Sequence, residues 1–152
     1  MFEIKERGQL PEGRWDHVAV YHENAIIIWG GSHAASHVDY YISGKWSRIE
    51  TTGAAPRYNW TMKNQVQVVN GKMIYMDAQN IFALDLKTWI WEKLITSGSR
   101  PIKGIGMVSF TYGEKIYFFG GKDYQRGLDF LELSNQLFCY NTARNAWEWP
   151  NV

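Results

Sequence analysis

The sequence has a single cysteine and almost no excess of either charge. Cys139 has no second thiol with which to form an intrachain disulfide, and its strand-like setting, QLFCYN, predicts a small buried hydrophobic side chain. Sixteen Lys and Arg residues balance fifteen Asp and Glu residues, for a formal net charge of +1. This indicates no bulk attraction to nucleic acid or to an anionic membrane. A disulfide-stapled fold is excluded, and neither nucleic acid nor membrane is expected as a partner.

Long apolar runs are also scarce. The N-terminal stretch MFEIKERGQL carries four charged side chains between residues 3 and 7, which predicts neither a signal peptide nor a membrane span. The default expectation is a cytoplasmic or nuclear protein. Hydrophobic residues nevertheless make up 45% of the 152 residues, enough for one domain with a real core.

Proline occurs only four times, but three of the four are evenly spaced. Pro11, Pro56 and Pro101 lie 45 residues apart, and a fixed spacing of this size indicates supersecondary units that bury their apolar faces against one another. The chain is therefore interpreted as one repeat domain. Its range is 1–152, with units at approximately 11–55, 56–100 and 101–152 and a fourth-strand element of a preceding or closing unit at 1–10.

Each unit predicts a hairpin followed by a third and a fourth strand. The hairpin segments read RWDHVAVYHENAIIIWGG, NQVQVVNGKMIYMDA and GMVSFTYGEKIYFFGG, with turns at Glu23-Asn24, Asn70-Gly71 and Gly113-Glu114. The fourth strand of each unit contains a tryptophan: Trp46, Trp91 and Trp147. Because no segment shows helical periodicity with caps, the sequence predicts an all-β fold with about four short strands per unit.

Four-stranded units of this period are typical of the blades of a β-propeller. Double glycines follow the second strand at Gly30-Gly31 and Gly120-Gly121, and Tyr140 precedes Trp147 around the last turn. This pattern resembles the kelch motif over the whole chain. The resemblance implies a kelch-type β-propeller of about three four-stranded blades, which is a partial propeller.

The first two units depart from the motif in detail. Unit two keeps Trp91, but Asp77-Ala78 stand in place of the glycines, and we expect a hairpin two residues longer to displace them. In unit one we expect Tyr40 to be the motif tyrosine. We expect the turn between Tyr40 and Trp46 to be one residue shorter than the turn between Tyr140 and Trp147.

The segments GRWDHVAVYHENAIIIWGG and SRPIKGIGMVSFTYGEKIYFFGG also look like the opening blades of small kelch-domain proteins without a BTB domain. That group serves as substrate receptors of cullin-RING ubiquitin ligases. The resemblance implies a non-catalytic module that needs no cofactor and binds a peptide or protein segment. Two alternatives stay open: an enzyme on a kelch scaffold, such as a sugar epimerase, hydrolase or specifier protein, and a structural partner of the cytoskeleton.

A kelch propeller usually has about six blades, so three units make half a ring. Three explanations stay open for the missing half. The chain is a fragment of a longer protein, two copies close one ring as a homodimer, or a partner caps the open faces.

Partner contacts in kelch domains that resemble this one come from residues just after the double glycine and from the loops that lead into each first strand. Carried over by position, the candidate partner-binding residues are Arg14, Trp15, Ser32, Tyr58, Asn59, Trp60, Gln79, Lys103 and Lys122. Arg and Lys offer charged donors to a carboxylate or acidic peptide, while Trp and Tyr offer large rigid contact area. The structural alternative is that Trp15 and Trp60 pack between blades.

His33, His37 and Asp39 are of residue types that bind metals. However, SHAASHVDYY follows a strand and is expected to be a solvated loop, so no metal site is predicted. No phosphate-binding loop and no G-x-S-x-G nucleophile motif is present, so no catalytic residue is assigned.

Overall fold

The computed structural model describes residues 7–32, 36–57, 65–77, 80–100, 106–123 and 132–150. Every regular element in these ranges is a β-strand, which confirms the predicted all-β fold. None of the described segments is a helix with the length and apolarity needed to cross a membrane.

Unit one folds as a meander of four strands with a short extra strand at its edge. The spatial order is β1-β5-β4-β3-β2, and only the β1–β5 pair is parallel. The strands are β1 (Arg7–Gly8), β2 (His17–His22), β3 (Ala25–Gly30), β4 (His37–Ile42) and β5 (Lys45–Glu50).

Unit two repeats this arrangement in the order β6-β10-β9-β8-β7, again with one parallel pair, β6 with β10. Since β6 directly follows unit one along the chain, each linker adds a strand to the outer edge of the next sheet. The strands are β6 (Thr52–Gly53), β7 (Gln65–Val69), β8 (Lys72–Met76), β9 (Ile81–Asp85) and β10 (Ile90–Leu94).

Unit three has the order β11-β12-β15-β16, and the connection between its second and third strands contains a separate two-stranded ribbon, β13 with β14. Its linker pairs through a single parallel bridge between Ser97 and Ala146. The strands are β11 (Val108–Tyr112), β12 (Lys115–Phe119), β13 (Lys122–Asp123), β14 (Glu132–Leu133), β15 (Leu137–Asn141) and β16 (Ala146–Glu148).

All three predicted hairpin turns are present and contain two residues each. In unit two, Asn70 and Gly71 have φ of 49° and 71°, the left-handed values that a type I′ turn requires at both central positions. Glu23 and Asn24 also have positive φ. The predicted position of each hairpin turn is therefore confirmed.

The expected displacement in unit two is wrong. Asp77 is the sixth residue after its turn, the position that Gly30 and Gly120 hold after theirs. The hairpins are equal in length, and the two extra residues of unit two lie ahead of β7, between Pro56 and the first strand. Asp77 closes the connection that follows the strand, since its Oδ1 accepts a bond at 2.7 Å from the amide of Asn80, three residues further on. Ala78 lies outside the described residues.

The tyrosine of the motif in unit one is Tyr41, and the expectation for Tyr40 is wrong. Tyr41 lies opposite Trp46, with ring centroids 4.8 Å apart, as Tyr140 lies opposite the tryptophan of unit three. Tyr40 points to the other face of the sheet and contacts Trp89 of unit two. The turn before Trp46 is two residues shorter than the turn in unit three, and this difference hid the true alignment.

A glycine in each linker lets the chain pass directly beneath the next fourth strand. Gly8, Gly53 and Gly98 have φ between +80° and +89°. A Cβ at these positions would collide with the carbonyl oxygens of Trp46, Trp91 and Trp147, respectively. Each of these glycines has a left-handed backbone conformation and lies close to the backbone of the next fourth strand. The 45-residue spacing therefore reflects the same backbone contact repeated at each junction between units.

The units stack face to face, with unit two covered on both sides. Because β8 alternates between two buried clusters, its residues 73–76, MIYM, are continuously apolar. The cluster between units one and two contains Val18, Ile27, Trp29, Val38, Met73, Tyr75, Phe82, Leu84, Leu86 and Trp91. The cluster between units two and three contains Val69, Ile74, Met76, Ile81, Ala83, Met107, Ile116, Phe118, Phe138, Tyr140 and Trp147. This stacking of four-stranded sheets is a partial propeller.

Polar side chains join the first strands of units two and three. Gln67 on β7 donates from Nε2 to Ser109 Oγ at 2.9 Å and accepts a bond from Thr111 Oγ1 at 2.8 Å. Strand β7 also lies next to β2 of unit one. The first strands of the three units therefore lie side by side and form the inner edge of the stack.

Tyr140 is expected to make the protein sensitive to alkali. Burial, with a smaller contribution from the charge of Glu92, raises the pKa of Tyr140 from 10.0 to about 12. The unfolded chain therefore loses its phenolic proton first, so the stability that this tyrosine contributes is complete below pH 10 and is lost as the pH rises through about 12. We expect urea unfolding to show a smaller loss of stability over this interval for Tyr140→Phe than for the unsubstituted protein. An equal loss in both proteins would contradict this assignment.

Candidate functional site

One end of each sheet brings together the segments that precede the first strand and the connections that follow the second strand. Successive main strands are antiparallel, so these two kinds of segment meet at the same end. We call this end the loop end. Among the described residues it comprises 9–16, 31–32, 36, 54–57, 77, 80, 99–100, 106–107, 120–123 and 132–136. The tight turns of the hairpins lie at the opposite end, which we call the hairpin end.

Trp15 and Ser32, both predicted site residues, lie together at the loop end of unit one. The Ser32 amide donates to the Trp15 carbonyl at 2.9 Å, so the two segments are joined through their backbones. Gly31, with φ of +96°, makes this approach possible because a Cβ there would lie 2.8 Å from the same carbonyl oxygen. The indole of Trp15 does not pack between units and is 62% exposed. The arrangement presents a large aromatic side chain on a backbone held in place.

Arg14 does not present its charge at the surface as the sequence suggested. Its Nη2 lies 2.6 Å from Asp39 Oδ2, and the side chains are 5% and 0% exposed. The guanidinium also donates to the carbonyls of Glu12 and Gly30, at 3.2 and 3.4 Å. Arg14 therefore ties the segment before the first strand to the sheet and leaves no face of the guanidinium for a partner.

His37 and Asp39 lie on strand β4, so the expectation of a solvated loop is wrong for both residues. Asp39 points into the open face of unit one with Arg48 Nε at 3.5 Å and His37 Nε2 at 3.8 Å from its Oδ1. The register places Asp39 where units two and three have Phe82 and Phe138. A charged cluster thus replaces an apolar core position in this unit. His33 lies outside the described residues.

Arg100 holds the loop end of unit two and was missed in the sequence. Its Nη2 donates to the Asp77 carbonyl at 2.5 Å, and Asp77 holds the position of Gly30, whose carbonyl Arg14 reaches in unit one. Burial lowers the pKa of Arg100, while the nearby charge of Asp77 opposes that shift. One feature of the sequence could have indicated this role: Arg100 directly precedes Pro101, one of the three evenly spaced prolines.

The loop end of unit three is formed by the longest connection between a second and a third strand. Seventeen residues separate β12 from β15, compared with six in unit one and four in unit two. Bonds from the Gly120 amide to the Gln136 carbonyl and from the Ser134 amide to the Gly121 carbonyl close its base. Lys122, a predicted site residue, pairs with Leu133 in the β13–β14 ribbon.

The remaining predicted binding residues share the same segments of the chain but lie outside the described residues. They are Tyr58, Asn59, Trp60, Gln79 and Lys103. Their part in the site stays a prediction.

The hairpin end of unit three has a groove of about 520 Å³, lined by residues that include Tyr112, Lys115, Tyr117, Asn141 and Arg144. Lys115 Nζ and Glu148 Oε2 form an ion pair of 2.8 Å beside it. Hydrogen bonds from Lys115 and Asn141 lower the pKa of Glu148. Over the described ranges no three His, Cys, Asp or Glu side chains cluster in a way that would hold a metal ion.

Comparisons with known proteins find relatives that match almost all of this chain. The fission yeast Schizosaccharomyces pombe protein "Tip elongation aberrant protein 1" is 27% identical over 94% of the chain. The human "Kelch domain-containing protein 3" is 26% identical over 93% of it. The human "Kelch domain-containing protein 2" is 23% identical over 96% of it. No protein-family model matches.

These relatives are longer than this chain. The match covers 14% of the fission yeast protein and 42% and 43% of the two human proteins. The chain therefore spans less than half the length of each of these three relatives.

Proposed function

Because this chain belongs to the kelch-repeat proteins, we propose that it is an interaction module that binds a peptide or protein segment at its loop end. The proposed role is binding alone, without catalysis and without a cofactor.

The observation that carries this proposal is the exposed indole of Trp15 on a fixed backbone. Interfaces draw much of their binding energy from a few large aromatic or arginine side chains held in a defined position. The amide of Ser32 and the close packing of Gly31 hold the Trp15 backbone. We therefore assign Trp15 the role of an aromatic anchor.

The lengths of the connections support the loop end over the hairpin end. Binding residues commonly lie on variable loops that a rigid scaffold positions. The connections after the second strands contain six, four and seventeen residues, whereas all three hairpin turns contain two. Variation in length at one end of a regular scaffold favours that end as the recognition surface.

In the cell, we propose that this binding serves substrate recognition by a cullin-RING ubiquitin ligase. The support is the resemblance of segments 13–31 and 99–121 to the opening blades of receptors of that class. Co-expression with cullin-RING components would test this role. Transfer of ubiquitin to a fusion protein carrying a bound peptide is expected, and no transfer above a fusion without the peptide would contradict it.

The binding site is tested by replacing Trp15. Peptides would be selected from a phage-displayed random library on the immobilised chain, and their affinity would be measured by calorimetry. We expect Trp15→Ala to weaken binding by roughly 30-fold or more, because the loss of a central aromatic anchor costs about 2 kcal/mol or more.

Tyr21→Ala is the matched control. Tyr21 is 67% exposed, similar to Trp15, and lies beside the turn at the hairpin end, where it bonds to Asn24. Its replacement is expected to leave the affinity unchanged. Unchanged binding by Trp15→Ala, or an equal loss in both variants, would overturn the assignment of the loop end.

A further inference from the structure

Among the described residues, units one and three each leave one sheet face uncovered. On unit three, Val108, Phe110 and Phe119 are 61%, 51% and 48% exposed. Phe110 stacks on Tyr117 with ring centroids 5.3 Å apart and planes at 10°. We call this the free face of unit three. A contiguous exposed patch of large apolar side chains on a soluble domain marks a surface that another molecule covers.

The free face of unit three has the same place in its sheet as the face by which unit one covers unit two. Counting from the hairpin turns, Phe119 holds the position of Trp29. Trp29 packs on unit two, with ring centroids 5.2 Å from Tyr75 and 4.9 Å from Trp91. The free face therefore continues a stacking interface that the molecule already uses.

The free face of unit one contains Ile26, Ile28 and Trp46. It corresponds to the face of unit two that unit one covers, and we call it the receiving face. By register, Ile28 and Trp46 hold the positions of Tyr75 and Trp91. Trp91 and its counterpart in unit three are 2% and 5% exposed because a neighbouring unit covers them. Within the described ranges Trp46 has no such neighbour and is only half-buried, and Ile26 is 41% exposed.

The shortest ion pair on each free face lies within its own unit. Lys115 is bound to Glu148 at 2.8 Å on unit three, and Asp39 is bound to Arg14 at 2.6 Å on unit one. When the two faces come together, each charge in these pairs keeps its partner. A mainly apolar contact requires this, because a buried charge without a partner is strongly destabilising.

We propose that a second copy of this chain covers both free faces, with unit three of each copy stacked on unit one of the other. One chain carries both a covering face and a receiving face, so a twofold axis satisfies both contacts at once. The result is a closed ring of six units, within the range of about four to eight that propellers adopt. This proposal concerns the stacking faces and stands separately from binding at the loop end.

The mass in solution tests this proposal. Light scattering is expected to give about 35 kDa, twice the 17.7 kDa of one chain. Phe119→Asp, which places a charge at the centre of the contact, is expected to give the mass of one chain. Ile95→Asp is the control, since Ile95 is 89% exposed on the segment after β10, away from both free faces. Circular dichroism checks that both variants remain folded.

A disulfide test identifies the contact itself. The single variants Phe119→Cys and Ile28→Cys are expected to form a mixed disulfide dimer when combined under mild oxidation, whereas Ile95→Cys with Ile28→Cys is not. A single-chain mass for the unsubstituted protein overturns the proposal, as does a series of open-ended oligomers, because a head-to-tail contact that fails to close gives filaments. Neither result affects the Trp15 assignment, which is measured by peptide affinity.

Discussion

Trp91→Ala is expected to lower the free energy of unfolding by about 3–5 kcal/mol, the usual cost of removing a large aromatic side chain from a core. Trp91 is 2% exposed and packs on Trp29 with ring centroids 4.9 Å apart. Its removal opens a cavity in the cluster that joins units one and two. Trp91→Phe is expected to cost less, because the indole Nε1 bonds to no acceptor within the described residues.

Urea unfolding followed by circular dichroism measures these effects, and Trp15→Ala provides the control. Trp15 is 62% exposed, and its removal is expected to change stability by less than about 0.5 kcal/mol. Equal losses for Trp91→Ala and Trp15→Ala would contradict the stacked arrangement of the units.

Asp39→Ala is expected to destabilise the protein by about 3–5 kcal/mol, because removing one member of a buried ion pair leaves the other charge without compensation. Arg14, at 5% exposure, would lose its 2.6 Å contact inside unit one. Arg48 is 24% exposed and can turn toward solvent more easily. The main cost therefore comes from Arg14.

The repeat itself supplies a rescue for this substitution. Units two and three have phenylalanine at the position of Asp39, and a buried ion pair can often be replaced by apolar residues at little cost. We expect Asp39→Phe combined with Arg14→Leu to recover most of the stability lost in Asp39→Ala, as measured by urea unfolding. If the double variant were as unstable as Asp39→Ala, the charge on Arg14 would not be the cause.

Local signals in the sequence predicted the strands and hairpins well. The Asn70-Gly71 turn and the alternating or continuous apolar runs beside it depend on residues that are neighbours in the chain. The double glycines also marked the ends of the second strands correctly. A left-handed φ and a close approach of two backbones favour glycine wherever they occur. The even spacing of the prolines misled the alignment of unit two, since it hides two extra residues ahead of β7.

Contacts between distant segments could not be predicted from the sequence. Arg14 and Asp39 are 25 residues apart, and nothing near either residue indicates that they pair. The one available sign was a charged residue at a strand position that carries phenylalanine in the other two units. The parallel pairing of each linker with the next sheet was equally hidden, because short strands such as β6 have no pattern of their own.

We propose above that the loop end of this chain recognises a peptide or protein segment. Amide chemical-shift mapping of the isotope-labelled chain with a library-selected peptide tests it most directly. We expect the largest shifts on the described residues 14–16 and 31–32 at the loop end. Shifts confined to the turns at 23–24, 70–71 and 113–114 would place binding at the hairpin end and contradict it.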